Sequence, residues 1–136
     1  MSNESIIVPR GKARNGSLTT QVRDYSGLRF ERNITPTDID LAVDFGGRAF
    51  VFAELKFEGS PITTGQRKFF ENLIYNLKRP AIVFVACHNA ILNQEIDGEK
   101  AEVVEAYSNY KRQWVVFPKR IPLREAIESW RKTHHL

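Results

Sequence analysis

The residue types best suited to chemistry lie between residues 35 and 56, where several carboxylates and one lysine flank two apolar runs. Residues 45–48 join these runs, and the two adjacent glycines there predict the turn of a β-hairpin. In an antiparallel pair the start of one strand lies beside the end of the next, so Asp40 and Glu54 should meet. Side chains alternate between the two faces of a strand, which places Glu54 and Lys56 on one face. The hairpin therefore predicts a small acidic site with one lysine.

Two neighbouring carboxylates repel each other, and burying them without a partner is costly. A site that holds Asp40 and Glu54 together therefore favours a cation, and oxygen ligands suit Mg²⁺ or Mn²⁺. The backbone carbonyl of Leu55 would supply another oxygen. Lys56 could hold a water nucleophile or stabilise charge on a phosphate. The simpler alternative is a surface hairpin whose Glu54 and Lys56 form a weak ion pair.

The elements after the hairpin indicate an α/β domain. Apolar residues at helical spacing predict a helix that Thr64 caps and that runs through about Leu77. Residues 81–87 are almost all apolar, as expected of a central strand covered on both faces. A strand, a helix and a strand in this order predict a crossover connection with the two strands parallel.

The ends of the chain give weaker patterns. Residues 102–107 and 113–117 predict two more strands, with a helix over 100–110 as the alternative for the first. Pro122 suits the first position of a final helix. Before the hairpin, Leu18–Tyr25 predicts one or two helical turns, and Leu28–Arg32 predicts a short strand. Residues 1–17 read as a flexible basic arm, and 18–136 as a single domain.

Composition limits the class of protein. The chain has 136 residues, of which 42% are hydrophobic and 26% charged, enough for one folded domain. The single cysteine, Cys87, cannot form an internal disulfide, which suits a reducing compartment. No apolar run approaches the ~18 residues of a membrane span, and no signal peptide is recognisable. We therefore expect a cytoplasmic protein without a membrane partner. Its net charge of +4 favours a polyanionic partner.

Three motifs carry a resemblance to a known family, in this order along the chain: Pro36-Thr37-Asp38-Ile39-Asp40, Glu54-Leu55-Lys56, and Thr64-Gly65-Gln66 at the start of a helix. Together they resemble the PD-(D/E)XK nuclease superfamily. The similarity is closest to its small members, namely VRR-NUC domains, archaeal-type Holliday junction resolvases and small phage-encoded nucleases. This leaves a phage or mobile-element origin open. The resemblance implies a restriction-endonuclease-like core, with a central mixed β-sheet flanked by α-helices.

The resemblance also implies a function, a metal-dependent endonuclease that hydrolyses DNA phosphodiester bonds. Junctions, flaps and free ends are all substrates of such a core. Carried over to this chain, Asp40 and Glu54 bind Mg²⁺ or Mn²⁺ together with the carbonyl of Leu55. Lys56 assists the water, and Gln66 joins the site from the helix. By analogy, small nucleases of this type act as homodimers, which match the two strands of DNA.

Several alternatives stay open at this point. Asp38 is the literal match to the Pro-x-Asp motif, whereas strand geometry and spacing favour Asp40. The family often supplies a further glutamate from an N-terminal helix, for which Glu31 is the nearest candidate. The candidate contacts to nucleic-acid phosphates are four basic residues, Lys12, Arg14, Arg67 and Lys68. The alternative function is a non-catalytic nucleic-acid-binding module on the same fold, and RNA is an alternative to DNA as the partner.

Overall fold

The structure is a computed structural model that describes residues 24, 26–90 and 94–136. These residues fall into two units, one that ends at Pro36 and one that spans Thr37–Leu136. The first contains two 3-10 turns, Ser26–Leu28 and Glu31–Asn33. The short strand predicted over residues 28–32 is therefore wrong. Arg32 has a φ of 60°, and a strand does not accommodate that backbone conformation.

Two predictions fall on the part of the chain before the described residues. The basic arm of residues 1–17 lies wholly outside them. Of the helical turns predicted over 18–25, the structure describes Asp24 alone.

The unit from Thr37 onward is built on one mixed sheet, which confirms the predicted α/β class with a central sheet and helices. Its strands lie side by side in chain order. They are β1 (Leu41–Asp44), β2 (Phe50–Phe57), β3 (Ala81–His88), β4 (Glu102–Ser108) and β5 (Trp114–Pro122). Helix α1 (Thr64–Asn76) connects β2 to β3, and helix α2 (Leu123–Thr133) follows β5. Neither helix of the described chain is long and apolar enough to cross a membrane.

The predicted hairpin and crossover are both confirmed. Strands β1 and β2 pair antiparallel, with Leu41 opposite Ala53. Gly46 and Gly47 form the turn at φ values of 65° and 75°, which glycine adopts at little cost. Strands β2 and β3 pair parallel, so that Glu54 lies opposite Val85. The C-terminal ends of β2 and β3 therefore lie together at one end of the sheet.

The C-terminal half differs in detail from the prediction. Residues 102–108 form a strand, so the helical alternative over 100–110 is wrong. Strand β5 extends past the predicted Phe117 to Pro122, and it includes Pro118. A proline is tolerated there because β5 is an edge strand, where one side of the backbone needs no partner. Pro122 is the N-cap of α2 rather than its first helical residue.

Each face of the sheet packs against one helix. Phe52 and Val83 pack with Phe70 and Ile74 of α1 on one face. On the other face a second cluster contains Val51, Phe84, Val103, Leu123 and Ala126, the last two from α2. Seven consecutive residues of β3 are buried, as the apolar run predicted. The two layers hold β2 and β3 rigidly at the centre of the sheet.

A β-bulge in β4 changes which side chains reach the face covered by α1. Glu105 pairs with Val85, but the next pair is Ala86 with Val103, so Val104 is an extra residue. In a strand without a bulge, Glu105 and Val103 would point to the same face, because side chains two residues apart share a face. Glu105 instead lies on the face of Val85 and Glu54, whereas Val103 packs on the α2 side. The bulge thus adds a second carboxylate to the α1 face.

We predict that Phe70→Ala lowers the free energy of unfolding by about 3–5 kcal/mol, because it empties a fully buried aromatic site under α1. Tyr75→Ala is the matched control on the same helix, since this side chain is 64% exposed. Its cost should stay below about 1 kcal/mol. Urea denaturation of both variants measures the difference. Equal losses would contradict the described packing of α1.

Candidate functional site

Asp40 lies at the end of the hairpin where β1 begins. Continuing the register by one residue beyond Leu41 and Ala53 puts Asp40 opposite Glu54, as the sequence predicted. Its Oδ2 accepts a hydrogen bond of 2.7 Å from the backbone N–H of Leu55. Strand β1 is too short to pair with Leu55, so the aspartate side chain takes the place of a strand partner. The carbonyl of Leu55 lies along the same edge of β2, because both backbone groups of one residue point the same way.

Glu54 is the most deeply buried charged residue of the described site. The residue is 4% exposed. Its Oε1 accepts a hydrogen bond of 2.9 Å from Nε2 of Gln66 and lies 3.4 Å from Nζ of Lys56. Its Oε2 is buried and has no hydrogen-bond partner among the described residues. A buried carboxylate oxygen in this state is costly, which makes it a position where a ligand would lower the free energy.

The pKa shifts of Asp40 and Glu54 agree with this geometry. Burial, and then the charge of Asp40, raise the pKa of Glu54 to about 7, against the opposing attraction of Lys56. Asp40 is exposed as a residue, but its carboxylate lies against β2, and burial raises its pKa too. The N–H of Leu55 opposes that increase. Near neutral pH the two carboxylates therefore favour a shared proton or a bound cation.

Gln66 reaches Glu54 because of the way helix α1 begins. Thr63 is the N-cap, one residue before the predicted Thr64, and its Oγ1 accepts a 3.1 Å hydrogen bond from the Gln66 N–H. In return, Gln66 Oε1 accepts a 3.1 Å bond from the Thr63 N–H. The amide nitrogen is left to donate to Glu54. A glutamate at this position would complete the same capping box but could not donate when ionised.

A second network on the same face was not anticipated from the sequence. The guanidinium of Arg67 lies 2.6 Å from Glu105 and 4.7 Å from the centre of the Trp114 ring. Trp114 in turn donates a 2.8 Å hydrogen bond to Glu71. Arg67, predicted as a phosphate contact, is therefore held by protein groups in this structure. The Trp114 ring packs against the Arg67 guanidinium on the side of this ion pair.

The other predicted residues are placed as follows. Asp38 is exposed, and its charge raises the pKa of both Asp40 and Glu54. Lys68 is exposed on α1. Glu31 belongs to the unit that ends at Pro36. Lys12 and Arg14 lie outside the described residues.

The donor set at the hairpin is small. Nowhere in the described parts of the chain do three or more histidine, cysteine, aspartate or glutamate side chains gather as metal ligands. Asp40 and Glu54 supply two carboxylates, and Leu55 supplies a carbonyl. This set fits Mg²⁺, which keeps several waters and commonly uses one or two carboxylates together with substrate phosphate. It does not fit a structural zinc site, which needs four protein ligands rich in nitrogen or sulfur.

Comparisons with known protein families, with curated proteins and with solved structures found no match for this chain.

We predict that stability depends on pH through Glu54. Its pKa in the folded state is raised from 4.5 to about 7, so the folded state binds more protons than the unfolded state between these values. Stability should fall as pH rises through that window and then level off. Glu54→Gln should remove this decrease, by up to about 3 kcal/mol between pH 5 and pH 8.

Urea denaturation at both pH values, in EDTA, measures this effect. The charge-matched control is Glu99→Gln on the exposed turn Gly98–Lys100, which should follow the wild-type pH dependence. If Glu54→Gln kept the pH dependence of the wild type, this would show that folding does not raise the pKa of Glu54.

Proposed function

We propose that this protein is a divalent-cation-dependent endonuclease that hydrolyses phosphodiester bonds in DNA. The observation that carries the proposal is the carboxylate of Glu54, which is buried, has one oxygen without a partner, and lies beside Asp40 and Lys56. Without a cation, Glu54 and Asp40 would have to share a proton to relieve their repulsion. A cation bound there would offset both the cost of burial and the repulsion from Asp40.

The order of the elements supports the same proposal. A strand preceded by an aspartate, a strand with Glu54 and Lys56, a helix that begins with Gln66, and a parallel strand follow one another along the chain. This arrangement is what a restriction-endonuclease-like core would need. Gln66 donates to Glu54 directly, which supports the resemblance to PD-(D/E)XK nucleases, since that resemblance implies that Gln66 joins the site from the helix.

Each residue would have a separate role. Asp40, Glu54 and the Leu55 carbonyl would hold the cation. When bound, Mg²⁺ or Mn²⁺ would lower the pKa of a water and offset negative charge on the phosphate. Lys56 directs its ammonium group into the same site, where it would orient the water and stabilise charge on the phosphoryl oxygens. Gln66 keeps the Glu54 carboxylate in a fixed orientation through its amide.

The choice of Asp40 as ligand follows from its position. Its carboxylate is anchored on the N–H of Leu55, next to Glu54, whereas Asp38 acts on the pair through its charge. The net charge of +4 supports a DNA partner, and a homodimer would present one site to each strand.

We predict that cleavage of DNA requires Mg²⁺ or Mn²⁺ and stops in EDTA. Glu54→Gln should weaken the binding of the cation, and Lys56→Ala should remove the ammonium group that stabilises charge on the phosphate, so each should lower the cleavage rate by about 1000-fold. Asp40→Asn should have a similar effect, and Asp38→Asn a much smaller one. A panel of linear, nicked, flapped and four-way DNA substrates, tested with both metals, also identifies the preferred DNA structure.

Asp44→Asn is the matched control on the same strand. Asp44 Oδ1 accepts a 2.6 Å hydrogen bond from the N–H of Gly47, and asparagine retains that acceptor. This variant should cleave at the wild-type rate. Full activity in EDTA, or in both the Glu54 and Lys56 variants, would contradict the proposal. DNA binding without cleavage of any substrate would instead favour the non-catalytic module.

A further inference from the structure

A cleft of about 350 Å³ lies at the opposite end of α1 from Gln66, where the chain passes into β3 and where β4 turns into β5. Three basic residues line it, Lys78, Arg79 and Arg112, and two tyrosines, Tyr75 and Tyr110. No carboxylate is among its lining residues in the part of the chain that the structure describes. The cleft therefore combines concentrated positive charge with aromatic surface, whereas the site at Glu54 is acidic.

The two segments that form the cleft are tied together by one side chain. Asn109 Oδ1 accepts a 3.1 Å hydrogen bond from the N–H of Ala81. Its Nδ2 donates to the carbonyl of Arg79 at 2.7 Å, and its backbone N–H donates to the carbonyl of Ala81. Lys78 and Arg79 are thereby fixed against the turn that carries Tyr110 and Arg112. The cleft is preorganised rather than assembled from independent loops.

Arg112 adopts a backbone conformation that arginine rarely takes. Its φ is 55°, in the left-handed region, and its N–H donates a 2.8 Å hydrogen bond to the carbonyl of Ser108. Glycine or asparagine would fill such a turn position at lower cost. The guanidinium of Arg112 instead lies 5.5 Å from the centre of the Tyr75 ring, at the cleft.

The tyrosines of the cleft are exposed to an unusual degree. Tyr75 is 64% exposed and Tyr110 is 78% exposed. Tyr110 and His134 also line an adjoining groove of about 320 Å³, to which Phe117 and Trp130 contribute apolar surface. Flat aromatic faces beside cations suit a ligand that alternates flat rings with negative charges. A strand of nucleic acid is such a ligand, with bases that stack on aromatic rings and phosphates that bind cations.

We propose that this cleft binds an unpaired strand of nucleic acid. Unpaired bases offer their faces to tyrosine rings, whereas a duplex keeps its base faces stacked inside. The cleft is separate from the site at Glu54: at about 1.5 Å per residue, α1 places Leu77 roughly 16 Å from Gln66. Binding there goes beyond the proposed cleavage and does not require it.

The test is the affinity of a fluorescently labelled oligo-dT strand, measured by anisotropy in EDTA so that no cleavage occurs. Tyr110→Ala and Arg112→Gly should each weaken binding by about tenfold, through lost stacking and a lost phosphate contact. Glycine suits the left-handed backbone at position 112, so this variant removes the side chain without adding strain. Arg112→Gly should also reduce the salt dependence of binding by about one counterion.

Lys100→Ala is the control, because it removes one positive charge from an exposed residue of the turn Gly98–Lys100, outside the cleft. It should bind oligo-dT as the wild type does. Thermal melts of each variant check that the fold is retained. Unchanged affinity in both cleft variants, or an equal loss in the control, would overturn the proposal. An equal loss of affinity for duplex DNA would overturn the assignment to unpaired strands. Since no metal or cleavage is involved, a failed nuclease assay would leave this result standing.

Discussion

The burial of one carboxylate, that of Glu54, is the constraint to which the rest of the described site responds. Strand β2 is an inner strand of the sheet, and the apolar Phe52 and Val85 lie beside Glu54 on the α1 face, so its charged side chain loses much of its contact with water. Lys56 and Gln66 both contact one oxygen of this carboxylate, Oε1, and offset part of the free-energy cost of burying it. The other oxygen is left without a partner in the described structure. A bound ligand would offset the free-energy cost of this buried oxygen, and we therefore place the candidate functional site at Glu54.

Two backbone features bring polar groups to that carboxylate, and a third adds another carboxylate to the same face of the sheet. The short strand β1 ends before Leu55, which leaves a backbone N–H for Asp40 to bind. The capping box of α1 fixes one end of the Gln66 amide and directs the other toward Glu54. The bulge in β4 turns Glu105 to the same face, where it holds Arg67. Together these features place the side chains of the site on strands and on a helix.

The sequence predicted those parts of the structure that depend on local patterns. Hairpin register followed from two glycines and two apolar runs, and it placed Asp40 opposite Glu54. The apolar run at residues 81–87 identified a central strand correctly. The predictions failed where contacts between residues far apart in the sequence determine the structure. Strand β5 passes through Pro118 because it is an edge strand and because residues 117–120 are out of register with β4, and both depend on how β5 pairs with a strand elsewhere in the chain.

Contacts between residues far apart in the sequence also determine the ion-pair and hydrogen-bond networks around the site. Arg67 and Glu105 are 38 residues apart, and their contact depends on a bulge that has no glycine to indicate it. Thr63 was missed as the N-cap because Thr64 beside it has the same capping chemistry. The role of Gln66 was implied by resemblance alone. In retrospect, a Thr followed three residues later by Gln is the sequence signature of a capping box.

The central claim is that Asp40 and Glu54 bind a divalent cation at the end of the hairpin. Anomalous diffraction from a crystal soaked in Mn²⁺ tests it most directly, because Mn²⁺ is located without any assumption about activity. We expect one strong peak within about 2.0–2.4 Å of oxygens from Asp40, Glu54 and the Leu55 carbonyl, with waters completing the shell. The same peak should be absent from Glu54→Gln crystals. An empty site in the wild-type protein at saturating Mn²⁺, or a peak confined to another part of the surface, would contradict it.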